Sequence, residues 1–62
     1  MKYEMFDRVL LKTGEKGYIV EIYDDGVAYE VEIVPPPINE IALRTVKADE
    51  IEKFIGIDDL KS

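Results

Sequence analysis

Apolar and polar positions alternate over short stretches of this chain, and no stretch sustains the 3.6-residue period of a helix. Five apolar segments stand out. The first, Phe6-Asp7-Arg8-Val9-Leu10-Leu11-Lys12, is β-like and partly alternating. Thr13-Gly14-Glu15-Lys16-Gly17 follows, with two glycines three apart that suit a tight reversal. Tyr18-Ile19-Val20-Glu21-Ile22-Tyr23 and Val27-Ala28-Tyr29-Glu30-Val31-Glu32-Ile33-Val34 then flank Asp24-Asp25-Gly26. Two β-branched and aromatic runs around an Asp-Gly turn predict a hairpin. Pro35-Pro36-Pro37 cannot donate ladder hydrogen bonds and ends the third strand, and the chain through Asn39 reads as a stiff loop. Ile41-Ala42-Leu43-Arg44-Thr45-Val46-Lys47 returns as a fourth strand. Ala48-Asp49-Glu50 suits one helical turn, and Ile51-Glu52-Lys53-Phe54 a closing strand.

Burial selects a register for the hairpin. With Asp25-Gly26 as a two-residue turn, Ile22 faces Tyr29, Val20 faces Val31 and Tyr18 faces Ile33, so that one face is wholly apolar. The other face then carries Glu21, Glu30 and Glu32, with Glu21 opposite Glu30. A three-residue Asp24-Asp25-Gly26 loop mixes the faces, and a slip of one residue inverts every side chain. Five strands, a central hairpin and a helical turn before the last strand predict an all-β fold, a small SH3-like barrel whose closure removes exposed edges.

With 62 residues there is room for one domain, with a core over 5–54 and a tail over 55–62. A chain this short buries only about 60% of its unfolded surface. It has no Cys, so no disulfide or thiolate metal site supplements the core. No apolar run approaches the roughly 20 residues of a membrane span, and Met1-Lys2-Tyr3-Glu4 does not begin a signal peptide, so a cytoplasmic location is expected. Fourteen acidic against eight basic residues give a formal charge of −6, which repels phosphate backbones and anionic lipid.

The stretch Asp7 to Ile22 looks like the opening of many SH3-like barrels. It is similar to the KOW motif of ribosomal and transcription-elongation proteins, in which a glycine just before an apolar strand recurs at the place of Gly17. Across Phe6 to Phe54 the chain more closely resembles a family of short prokaryotic proteins, itself a domain of unknown function. The resemblance is carried by residues 17–22, 25–26, 28–32 and 43–51. It implies the SH3-like fold and brings no activity with it. Pro35-Pro36-Pro37 is unusual against that pattern.

Catalysis is not expected. Histidine and cysteine are absent and Ser62 is the only serine, which removes Ser-His, Cys-His and imidazole acid–base arrangements together. Asp24 and Asp25 sit at a hairpin tip, where water keeps carboxylates ordinary. Asp58 and Asp59 sit in the tail, and no loop has the spacing of a calcium-binding motif. No cofactor or metal is called for. Binding to another protein remains, with a basic partner as the candidate. Tyr18 and Tyr29 fall on the expected core face. Tyr3 and Tyr23, with Glu21, Glu30 and Glu32, form a candidate acidic, aromatic contact surface. A KOW-like nucleic-acid role is the alternative, resting on Lys2, Arg8, Lys12, Lys16, Lys47 and Lys53 against the overall charge. An antitoxin-like or enzyme-accessory subunit is a third reading, in which Ile55, Ile57 and Leu60 mediate a weak homodimer or else cover the barrel's own end. The proline run reads as a loop stiffener before a polyproline ligand.

Overall fold

The computed structural model describes residues 3–56. Strands β1 (Arg8–Leu11), β2 (Lys16–Tyr23), β3 (Ala28–Ile33), β4 (Leu43–Lys47) and β5 (Ile51–Phe54) form one antiparallel sheet in the order β4-β3-β2-β1-β5. A single 3-10 turn, Ala48–Glu50, separates β4 from β5. The all-β class, the strand count and the position of the helical turn are those expected from the sequence. The outer strands β4 and β5 are joined through that turn, and Lys12 N–H donates to Glu50 O at 2.9 Å to hold it against β1.

The β2–β3 hairpin organises the sheet. Its tip has Asp24 at φ 52, Asp25 at φ 57 and Gly26 at φ 103. Aspartate tolerates the left-handed region better than most residues, which is why this segment can turn so tightly. Gly26 and Val27 N–H both donate to Tyr23 O, at 3.0 and 3.1 Å. Tyr23 pairs with Ala28, so the loop has Asp24 and Asp25 at its tip and takes in Val27, which is 62% exposed. The two-residue turn on Asp25-Gly26 is corrected to this longer loop. The register next to it survives, because the loop lengthens equally on both strands. Ile22 faces Tyr29 and Glu21 faces Glu30.

Beyond Glu21 the expected register fails. A bulge between Ile19 and Glu21 leaves Val20 without a cross-strand partner, so Ile19 faces Val31, Tyr18 faces Glu32 and Gly17 faces Ile33. The expected inward pair of Val20 and Val31 is therefore an Ile19–Val31 pair, both residues fully buried, with Val20 half-buried. The cause lies in the sequence. Ile19 and Ile22 are three apart and cannot share a face of a regular strand; one extra residue places both inward and sends Tyr18, Glu21 and Tyr23 outward. Tyr18 is thus half-buried on the outer face, where Arg8 stacks 5.3 Å from its ring centre and donates to its hydroxyl at 3.1 Å.

The core contains Tyr3, Val9, Leu11, Ile19, Tyr29, Val31, Ile33, Val46 and Ile51, with Ile22 and Ala48 packed against it. Tyr29 is its largest fully buried side chain, and the Tyr3 ring meets it edge-on at 5.6 Å and 82°. The Tyr29 hydroxyl has no hydrogen-bond partner among the described residues, a cost of about 1–3 kcal/mol borne by the burial of its ring. Gly17 is required for a different reason from Gly14. At Gly14 the backbone takes φ 98. At Gly17 a Cβ would overlap the Glu32 carbonyl oxygen and come within 2.7 Å of Val31 Cγ1, so β2 and β3 close only over a glycine.

Arg44 falls at an inward position of β4, opposite Val31. Its guanidinium reaches the rim instead, bonding Glu15 Oε2 at 3.1 Å, Glu40 Oε1 at 3.0 Å and the Ile41 carbonyl at 2.6 Å. It thereby ties the β1–β2 turn to the loop that follows the prolines.

At the chain's start, Asp7 N–H donates to Glu4 O at 3.1 Å, closing a turn with Phe6 in its third position at φ 70. That is the pattern of a type II turn, whose third position favours glycine. A side chain held there costs about 1–2 kcal/mol. The turn is pinned by Phe6 N–H to Ile19 O (2.7 Å) and Ile19 N–H to Asp7 O (2.9 Å), beside the bulge at Val20.

The bulge predicts unequal costs for neighbouring truncations. Ile19→Ala is expected to destabilise by about 2–5 kcal/mol and Val20→Ala by about 1 kcal/mol or less, read from denaturant midpoints. Equal losses would restore the unbulged register.

Candidate functional site

Alternation along β2, β3 and β4 gives the sheet a second face. Tyr23 and Glu21 come from β2, Glu30 and Glu32 from β3, and Leu43 and Thr45 from β4. The pairings Glu21–Glu30–Thr45 and Glu32–Leu43 lay these side chains in rows across the strands. Four of the five residues expected on the contact surface, Tyr23, Glu21, Glu30 and Glu32, are brought together here. Tyr3 is not among them. It is 4% exposed and belongs to the core, packed on Tyr29. No local pattern calls for its burial, because it precedes the first strand and its partner is 26 positions on.

Glu30 is the centre of the face. Its Oε1 accepts from the Thr45 hydroxyl at 2.6 Å and from the Tyr23 hydroxyl at 3.3 Å. Glu21 stands directly across from it, a like-charge pair that costs a few tenths of a kcal/mol in water. The two hydroxyl donors offset that repulsion and fix the Glu30 carboxylate between three strands. Thr45 is not among the residues expected at this face. The alternation of β4, with Val46 inward, is the signal that places it outward.

The same carboxylates act on Tyr23. Loss of hydration against the sheet, then the charge of Glu30 and its hydrogen bond, then the charge of Glu21, push the phenol above its ordinary value of 10.0. Tyr23 as a whole is 40% exposed.

Two clefts open elsewhere. One, of about 500 Å³, is lined by Tyr3, Glu4, Asp7, Glu52, Lys53 and Phe54. The other, of about 340 Å³, lies between the β1–β2 turn and the proline loop, with Pro35 and Pro37 on its wall. Of the residues considered for self-association, Ile55 is half-buried and donates its N–H to Arg8 O at 2.9 Å. Ile57 and Leu60 lie outside the described residues. Among the described residues no group of three Asp or Glu side chains is placed to hold a metal ion, and no helix is long and apolar enough to cross a membrane.

Compared with known proteins, the chain matches no family model, no curated protein and no solved structure.

The raised phenol fixes a sign for pH dependence. The folded state holds the Tyr23 proton more tightly than the unfolded chain. Stability from this group is therefore complete below about pH 10 and declines as pH rises through the folded value. An absorbance titration of the wild type minus Tyr23→Phe should report that phenol above 10, and Glu30→Gln should bring it down. A midpoint unmoved by Glu30→Gln would contradict the Glu30 contact.

Proposed function

We propose that this chain is a non-enzymatic interaction domain of SH3-like type, working in the cytoplasm, whose outer sheet face binds a basic segment of another protein. The observation that carries the reading is the Glu30 carboxylate, held by Thr45 and Tyr23 with Glu21 opposite and Glu32 on the same strand. One fixed carboxylate with two more beside it, next to an exposed tyrosine, suits a guanidinium or ammonium group, which gains both charge pairing and stacking on the ring. The net charge of −6 favours encounter with basic partners and opposes nucleic acid.

The KOW-like alternative has less support. Gly17, the residue that most suggests it, is accounted for by the close approach of β2 to the Glu32 carbonyl. Arg8 is engaged with Tyr18. The accessory-subunit reading rests on fold-level analogy.

A short arginine-rich peptide tests the proposal by titration at several salt concentrations. Binding should weaken as salt rises, and Glu30→Gln or Tyr23→Ala should each lower affinity about tenfold, the equivalent of about 1.4 kcal/mol. Retained affinity in both variants would refute the assignment of this face. Tight binding of RNA or DNA with no response to the peptide would favour the KOW-like role.

A further inference from the structure

Phe6 departs from two rules at once. It is a bulky residue at φ 70, in a turn position that favours glycine, and it is 66% exposed. Burial therefore does not repay the strain, and four hydrogen bonds hold the turn in place. Two of these are Glu4 N–H to Asp7 Oδ2 at 2.8 Å and Phe6 N–H to Ile19 O at 2.7 Å. Strain that the fold maintains without a packing return is characteristic of sites that present a side chain to something else. Met5, 43% exposed, extends the apolar tip.

Beside this tip lies the larger cleft. Glu4 and Asp7, which flank Met5 and Phe6 in the turn, also line the cleft, together with Tyr3, Phe54, Glu52 and Lys53. Its Phe54 side chain is 54% exposed, and about 500 Å³ is ample for an aromatic ring. One continuous patch thus carries both an aromatic knob and an apolar hollow.

We propose that this patch pairs with a second copy of the chain, Phe6 of each copy entering the Tyr3–Phe54 cleft of the other about a twofold axis. A patch containing both halves of a contact is self-complementary, and a twofold axis closes it with two identical insertions. Lys53 of the cleft then pairs with the Glu4 and Asp7 carboxylates that arrive with Phe6, while Glu52 beside it meets them as a like charge. Domains of this size commonly gain stability by association, since their own cores are small. The surface involved is distinct from the Glu30 face, so the two proposals stand or fall separately.

Sedimentation of the full chain across a wide concentration range tests this directly. A monomer–dimer equilibrium is expected. Higher salt should tighten it, because screening relieves the repulsion between two copies of charge −6 by more than it weakens the Lys53 pairs. Phe6→Gly and Phe6→Asn should sediment as monomers at every concentration. At dilutions where the wild type is also monomeric, both should melt at or above the wild-type temperature, Phe6→Gly by about 4 °C, since the strain is relieved. Phe54→Gln should also abolish dimers while keeping a folded circular dichroism spectrum. A wild type that stays monomeric, dimers that persist in the Phe6 variants, or Phe6 variants that melt below the wild type would each overturn the proposal.

Discussion

The extra residue at Val20 decides which side chains this protein buries and which it shows. Strand β2 pairs with β3 along its length and with β1 over its first half, so both neighbours inherit its facing. Its apolar residues do not follow a strict two-residue period: Ile19 and Ile22 are both needed in the core, and Glu21 between them must reach water. A regular strand satisfies one of the two isoleucines at most. The bulge satisfies both, and it falls beside the turn at Phe6, whose N–H bonds the Ile19 carbonyl. Without that shift either Ile22 leaves the core or Tyr18 enters it.

Two faces follow from this one constraint. Inside, Ile19, Tyr29 and Val31 form a close-packed centre, capped at one end by Tyr3 and tied at the other by Arg44. Outside, Glu21, Glu30, Glu32 and Tyr23 gather on adjoining strands. The outer face is less favourable to folding than a neutral one, because Glu21 and Glu30 oppose each other. Its hydroxyl donors limit that cost by ordering one carboxylate, and order of this kind is what recognition of a cation requires.

The strands, the hairpin, the 3-10 turn and the acidic face were legible from the sequence because each has a local cause. Asp-Gly turns, proline breaks and alternating glutamates act over a few residues. The bulge was not legible, since Tyr18-Ile19-Val20 is apolar throughout and any of the three fits an inward site. The burial of Tyr3 was hidden for another reason. It depends on a ring 26 positions away, and nothing in Met1-Lys2-Tyr3-Glu4 foretells it. Phe6 read as an ordinary strand residue; its left-handed backbone becomes visible only once the turn that precedes β1 is seen.

The cross-strand contacts of β2 and β3 in solution test the central claim most directly. Nuclear Overhauser contacts between backbone protons should pair Ile22 with Tyr29, Ile19 with Val31 and Tyr18 with Glu32, with Val20 sharing its neighbours' partners as the extra residue of a bulge. Contacts pairing Val20 with Val31 in place of Ile19, and Tyr18 with Ile33 in place of Glu32, would restore an unbulged hairpin and contradict the division between core and outer face described above.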